Sequence, residues 1–278
     1  EPVSRGDLVS AFDPDYPPLC HACDDARTQG GLVIWCHNGN GMEAPVAAAL
    51  GKLDAFNMFD PCWKSSEYGM WYQLLNCGIR LPASTGSDWY ICSNNRVYVD
   101  TQQAFTYKSW LEGLRDGRSF ITNGPSLMFS VNGEGPGSQL GPGRCSVHLE
   151  WLSHLPLTHV EIVADGLVVE RRELTGDEGR EGHWQVDVDM TDGWLAARAE
   201  GVARDSFLHP VYAHASPVYV GSGIPPTASR EAAAHFTRQI DTAIDLITDS
   251  LRYTTDAQRQ EVLHLFHSGR SIYERLGI

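Results

Sequence analysis

The sequence predicts a mixed α/β chain: a unit built on a parallel sheet, then an antiparallel β-sandwich, then a pair of helices. Three patterns carry this. From Gly30 to about residue 125, short apolar runs alternate with helical stretches, as in successive β-α-β units. From Leu127 onward the runs shorten and alternate, separated by Gly, Asp and Pro, which suggests a sandwich of about seven strands. Beyond the linker GIPPTAS (223–229), apolar residues recur at helical spacing. The expected divisions are 1–125, 126–222 and 223–278.

In order, residues 1–18 are rich in Pro, Asp and Ser and read as an entry segment. Leu19 to Gln29 is helical and stops at Gly30-Gly31, where a left-handed C-cap is easily accommodated. Leu32 to Cys36 is nearly continuous in apolar residues, as expected of a strand buried on both faces. Pro45 opens the next helix, Asp54 to Phe59 is the next strand, and a helix from Glu67 to Asn76 ends at Gly78 before Ile79 to Ala83 resumes extended structure. Asn95 to Val99 and Ser119 to Thr122 read as further strands of the parallel sheet. Between them Gln103 to Arg115 forms a helix with Phe105, Trp110, Leu111 and Leu114 near one face. Later, Asp165-Gly166 between two apolar runs is a hairpin turn. Thr255 with Gln258 makes a capping box ahead of the last helix.

Of 278 residues, 42% are hydrophobic and 20% charged, an ordinary globular balance. No apolar run approaches the roughly 20 residues of a membrane helix. A net charge of -14, with 21 Lys and Arg spread along the chain, argues against a nucleic-acid partner. Seven scattered cysteines lean towards free thiols. The chain begins at Glu1, compatible with a removed leader or a start within a longer gene, so cytoplasmic and exported locations both stay open.

Chemistry concentrates between Gly30 and Val99. Three apolar runs there lead into residues able to bind a metal or move a proton: His37, Asp60 and, through a small-residue loop, Asp88. Glu43 lies on the adjacent glycine loop. The structural alternatives are a carbonyl partner for His37, a turn cap for Asp88, and for Glu43 a carboxylate favoured by the dipole of the helix opening at Pro45. Arg96 and Arg118 precede apolar strands and are candidates to orient an anionic or carbonyl group; pairing with surplus carboxylates is the alternative. Asn123, in Asn123-Gly124-Pro125, is either a substrate donor or a turn residue. Cys20-His21-Ala22-Cys23 lacks a second pair at zinc spacing and reads as buried thiols on a helix.

GGLVIWCHNGNGMEAP, LLNCGIRLPASTGSDWY, NNRVYV, WLEGLRDGRSFITNGP and HASPVYV together resemble the carbaryl-hydrolase-like (CehA/McbA) branch of the PHP (polymerase and histidinol phosphatase) superfamily of metallohydrolases, in order along nearly the whole chain. The resemblance implies a distorted (β/α) PHP-type barrel, here partial, binding divalent metal (Zn, Mn or Fe). That metal would activate water against phosphoester, ester or carbamate/amide bonds of a small-molecule substrate. It implies metal ligation by His37 and Asp88, with Glu43 as a further candidate. Tyr90 stands where the family has a histidine and joins Arg96, Arg118 and Asn123 as a candidate substrate contact. Asn57 stands where the family has a glutamate, and the family's N-terminal His-x-His segment has no counterpart here. These departures open an alternative: a non-catalytic PHP-like protein acting as a binding or assembly module. A half-barrel beginning near Leu32 also leaves a strand edge open, expected to be covered by residues 1–18, a second copy or another chain.

Overall fold

The computed structural model describes residues 15–36, 43–58, 68–86 and 93–277, and the structural statements below concern these. Helix α1 (Leu19–Thr28) follows two prolines and ends where Gly30 adopts φ +78°. Three strands alternate with helices after it: β1 (Ile34–Trp35), α2 (Ala44–Ala49), β2 (Ala55–Met58), α3 (Tyr68–Asn76) and β3 (Ala83–Thr85). They form a parallel sheet in the order β1-β2-β3, with Trp35 opposite Phe56 and Phe56 opposite Ala83. Phe56 and Met58 are fully buried, whereas in β1 Trp35 is buried but keeps 8% of its surface exposed, and Ile34 is 39% exposed. The expectation of a strand buried on both faces therefore fails for β1, because it ends its sheet.

The parallel sheet stops at β3. Strands β4 (Arg96–Val99) and β5 (Ser119–Thr122), expected to continue it, pair antiparallel with each other. Between them α4 (Tyr107–Arg115) starts later than expected. The Thr106 hydroxyl captures the Ser109 amide in a capping box, which leaves Phe105 outside the helix and 78% exposed.

The rest of the chain before residue 222 is β-structure: β6 (Ser126–Val131), β7 (Gln139–Leu140), β8 (Gly143–Leu152), β9 (His159–Ala164), β10 (Leu167–Glu173), β11 (Glu181–Met190), β12 (Gly193–Arg204), β13 (Pro210–Ala215) and β14 (Val218–Val220). Asp165 and Gly166 form the expected two-residue turn, both at positive φ, and join β9 to β10. An eight-stranded sheet runs β10-β9-β12-β13-β5-β4, with β14 and β7 attached through β12, and a three-stranded sheet runs β11-β8-β6. The expected boundary at residue 125 thus falls inside a continuous sheet, since β5 before it pairs with β13 after it. Strand direction explains the difference: apolar periodicity marks a strand without revealing whether its partner runs parallel or antiparallel. No sheet among the described residues closes into a barrel.

Two apolar cores lie on opposite faces of the eight-stranded sheet. One is shared with the three-stranded sheet and, on the eight-stranded side, is aliphatic, joining Leu127, Phe129, Val147 and Trp151 to Ile162, Leu195 and Val211. The other joins Val163, Trp194 and Tyr212 to Phe56, Trp71, Leu75 and the C-terminal helices. Those helices, α5 (Pro226–Asp249) and α6 (Asp256–Leu276), form the expected pair, although α5 takes up most of the expected linker. Thr255 and Gln258 make the capping box of α6. At Gly269 a Cβ would stand 3.1 Å from the Val46 Cα, so glycine lets α6 close onto α2. Tyr273, beneath Phe236, donates to the Pro45 carbonyl at 2.7 Å. Burying each such ring contributes on the order of 2 kcal/mol.

Candidate functional site

The carboxyl ends of β1, β2 and β3 lie side by side at one edge of the parallel sheet, where α/β proteins gather their functional loops. A run of neutral hydrogen bonds braces this edge. The Thr85 hydroxyl donates to the Met58 carbonyl at 2.8 Å and meets the Tyr212 hydroxyl at 3.0 Å. Tyr212 donates to Asn95 Oδ1 at 3.2 Å, and the Asn95 amide nitrogen donates to the Gly86 carbonyl at 3.1 Å. The ends of β2 and β3, the approach to β4 and strand β13 are thereby tied together. Burial pushes the Tyr212 phenol well up, so it remains a neutral hydrogen-bonding group.

A second, buried chain of polar groups runs behind the first, between α3 and the eight-stranded sheet. The fully buried His214 contacts the Ala215 carbonyl through Nδ1 at 2.8 Å and the Tyr72 hydroxyl through Nε2 at 2.7 Å. A carbonyl only accepts, so Nδ1 carries the proton and Nε2 accepts from Tyr72. Burial, with Arg198 nearby, holds the His214 pKa down at about 3. Arg198 lies 5.2 Å from the Tyr68 ring centre and donates to Glu161 at 2.5 Å. Arg171 donates to the other Glu161 oxygen at 2.8 Å. Burial alone would raise the Glu161 pKa, but the hydrogen bonds and charges of its arginine partners hold it below the usual carboxylate range.

Of the residues singled out in the sequence, His37, Asp60, Asp88 and Tyr90 lie outside the described residues. Glu43 belongs to α1 rather than to a loop site: its two oxygens accept the Leu19 and Cys20 amides at 2.9 and 2.6 Å, which caps that helix from 24 residues downstream. Arg96 donates to the carbonyls of Ser93 and Asn95 at 2.6 and 2.8 Å. Arg118 donates to the Asp100 carbonyl and to Asp116. Asn123 donates to Asp205 and the Pro210 carbonyl and accepts from the Tyr212 amide, stapling the turn after β5 to β13. Arg96 and Asn123 share a recess of about 320 Å³ with Tyr98 and His154, while Arg118 borders a different groove. Cys20 and Cys23 are buried in α1, and burial raises both thiols, Cys23 to about 11, as expected of structural cysteines. His21 turns to Glu261 of α6, at 3.0 Å.

Of the expected metal donors His37, Asp88 and Glu43, only Glu43 lies among the described residues. Both Glu43 oxygens are engaged by the start of α1. Among the described residues no three His, Cys, Asp or Glu side chains come together to hold an ion. Sequence reasoning passed over Thr85, Asn95, Tyr212 and His214. The one visible signal was Tyr212 and His214 two apart in the otherwise apolar run VYAHA, hence on one face of a strand.

No family model matches the chain, and no curated protein matches it.

Proposed function

We propose that the chain is a PHP-like metal-dependent hydrolase of phosphoester, ester or carbamate/amide bonds in a small-molecule substrate, its α/β unit a partial PHP-type barrel followed by a β-sandwich and a helical pair. One observation supports this above the others. Three adjacent parallel strands end at one edge, and the sequence carries His37, Asp60 and Asp88 two, two and three residues beyond Trp35, Met58 and Thr85. A divalent ion, when bound, would lower the pKa of a coordinated water and polarise the scissile group. The chain's own contribution at this edge is rigidity: Thr85, Tyr212 and Asn95 hold the strand ends in a fixed frame from which the loops depart.

A second reading, a non-catalytic binding or assembly module, draws on Glu43, Arg96, Arg118 and Asn123, all of which are engaged by the protein itself. Elemental analysis of the purified chain, with hydrolysis of aryl phosphate and aryl ester substrates, separates the two. Hydrolase action requires stoichiometric Zn, Mn or Fe, lost with activity in His37→Ala and in Asp88→Ala. A folded, metal-free, inactive protein whose stability is unchanged in the double variant would leave the second reading standing.

A further inference from the structure

Leu127, Met128, Phe129 and Ser130 follow one another along β6, yet all four line the same groove of about 590 Å³. Successive side chains of a strand point to opposite faces. A groove that meets four in a row therefore runs along the strand's edge, where backbone N–H and C=O groups point. β6 is the terminal strand of its sheet and pairs with β8 alone. Among the described residues no other backbone hydrogen bond reaches residues 127–130. The strand, SLMFSV, carries neither the proline nor the lysine that commonly protects an open edge.

What shields it is the opposite wall. Tyr98, Val99 and Asp100 at the end of β4 and Arg118 to Phe120 at the start of β5 face β6 across the groove. Tyr98 stacks on Phe120 with ring centres 5.0 Å apart and planes 12° apart, and it stays 55% exposed. Met128 is 56% exposed in the same groove. A single extended chain fits such a slot, whereas a sheet from a second copy would meet the β4–β5 wall. The charge is mostly acidic: Asp100, Glu134 and Glu150 line the groove, its one guanidinium, Arg118, is paired with Asp116, and its one imidazole, His148, lies 3.8 Å from Glu150.

We propose that this groove receives an extended peptide segment of a partner protein as an added strand on β6. Side chains of that segment on the outward face would lie beside Met128 and Glu150, which share that face, and its lysine or arginine side chains would meet the carboxylates that line the groove. The inference is independent of the hydrolase reading, because it draws on no strand-end residue.

A fluorescent peptide of alternating valine and lysine, titrated into the full chain and followed by anisotropy and by hydrogen exchange, tests it. Binding should weaken with salt, protect the amides of 126–131, and exceed that of the valine–glutamate counterpart by at least about tenfold. A backbone N-methylated version should fail. The exposed double variant Glu134→Gln/Glu150→Gln should bind about three- to tenfold more weakly while folding normally. Equal binding of the glutamate peptide, binding without protection at 126–131, or no binding would overturn the proposal. So would protection of those amides by self-association of the chain alone, which would make a second copy the occupant.

Discussion

On one face of the eight-stranded sheet lie Glu161, Trp194, Arg198, Tyr212 and His214; on the other lie Ile162, Leu195, Ala197, Val211 and Ala213. The strands are the same, and alternate residues serve each side. The aliphatic face packs small side chains against the inner face of the three-stranded sheet, where packing dominates and Trp151, donating to the Glu178 carbonyl, adds a hydrogen bond at the margin. The other face packs large rings that carry polar atoms, and several of those atoms are joined by hydrogen bonds. Trp71 donates to the Leu81 carbonyl, Trp194 to Asn76, and Tyr72 to His214. The cross-strand register puts Arg198 opposite both Glu161 and His214, so a charge and a neutral imidazole sit one strand apart. An aromatic core of this kind gains specificity from hydrogen bonds that must all be made together, and it carries a larger penalty for each one lost.

That contrast can be broken by substitution. Trp194→Ala, at a fully buried ring that also contacts Tyr72, should cost about 3–5 kcal/mol in urea unfolding, against about 0.5–1.5 kcal/mol for Ile162→Val on the aliphatic face. Similar losses would mean that the two faces tolerate trimming alike.

A pH series sharpens it further. An unfolded histidine takes up its proton near pH 6.5, whereas His214 in the folded chain stays neutral down to about 3. Between those values the unfolded state binds more protons, so stability should rise with pH by up to about 1.4 kcal/mol per unit. Asp165 works in the opposite sense, because burial raises its pKa from 3.8 to about 6 despite the Trp194 amide it accepts. The difference between the wild-type chain and His214→Gln isolates the histidine, and an unchanged slope in the variant would refute the assignment. A smaller effect than that of Trp194→Ala is expected of Trp194→Phe, which trims the fused ring and leaves the buried Asn76 oxygen without its donor, at about 1–3 kcal/mol by the same unfolding measurement.

Local signals in the sequence were legible where local chemistry decides the outcome. The Asp165-Gly166 turn, the stop at Gly30 and the Thr255–Gln258 box all depend on neighbours within a few residues, and all three form. The same chemistry, overlooked at Thr106 and Ser109, moved the start of α4. What stayed hidden is long-range. Nothing near Asn95 announces that β4 will run antiparallel to β5, or that Tyr212 will reach it from 117 residues away. Glu43 was legible as a carboxylate near a helix start, but the helix it serves begins 24 residues earlier. The candidate site was readable only as residue types following strands, because hydroxyl and amide partners such as Thr85 and Tyr212 leave no periodic trace.

Insertions and deletions within β12 would be costly. Because Leu195 and Ala197 face one core while Trp194 and Arg198 face the other, a slip of a single residue would exchange the two sets. The guanidinium of Arg198 would then enter an apolar layer away from Glu161, and Leu195 would stand where Trp194 now reaches Asn76. A strand packed on one side only can tolerate some misregistration, since one face is forgiving solvent. β12 has no such side along its apolar stretch, so length changes in this lineage are expected to collect in its flanking turns, before Gly193 and after Arg204, rather than within the strand itself.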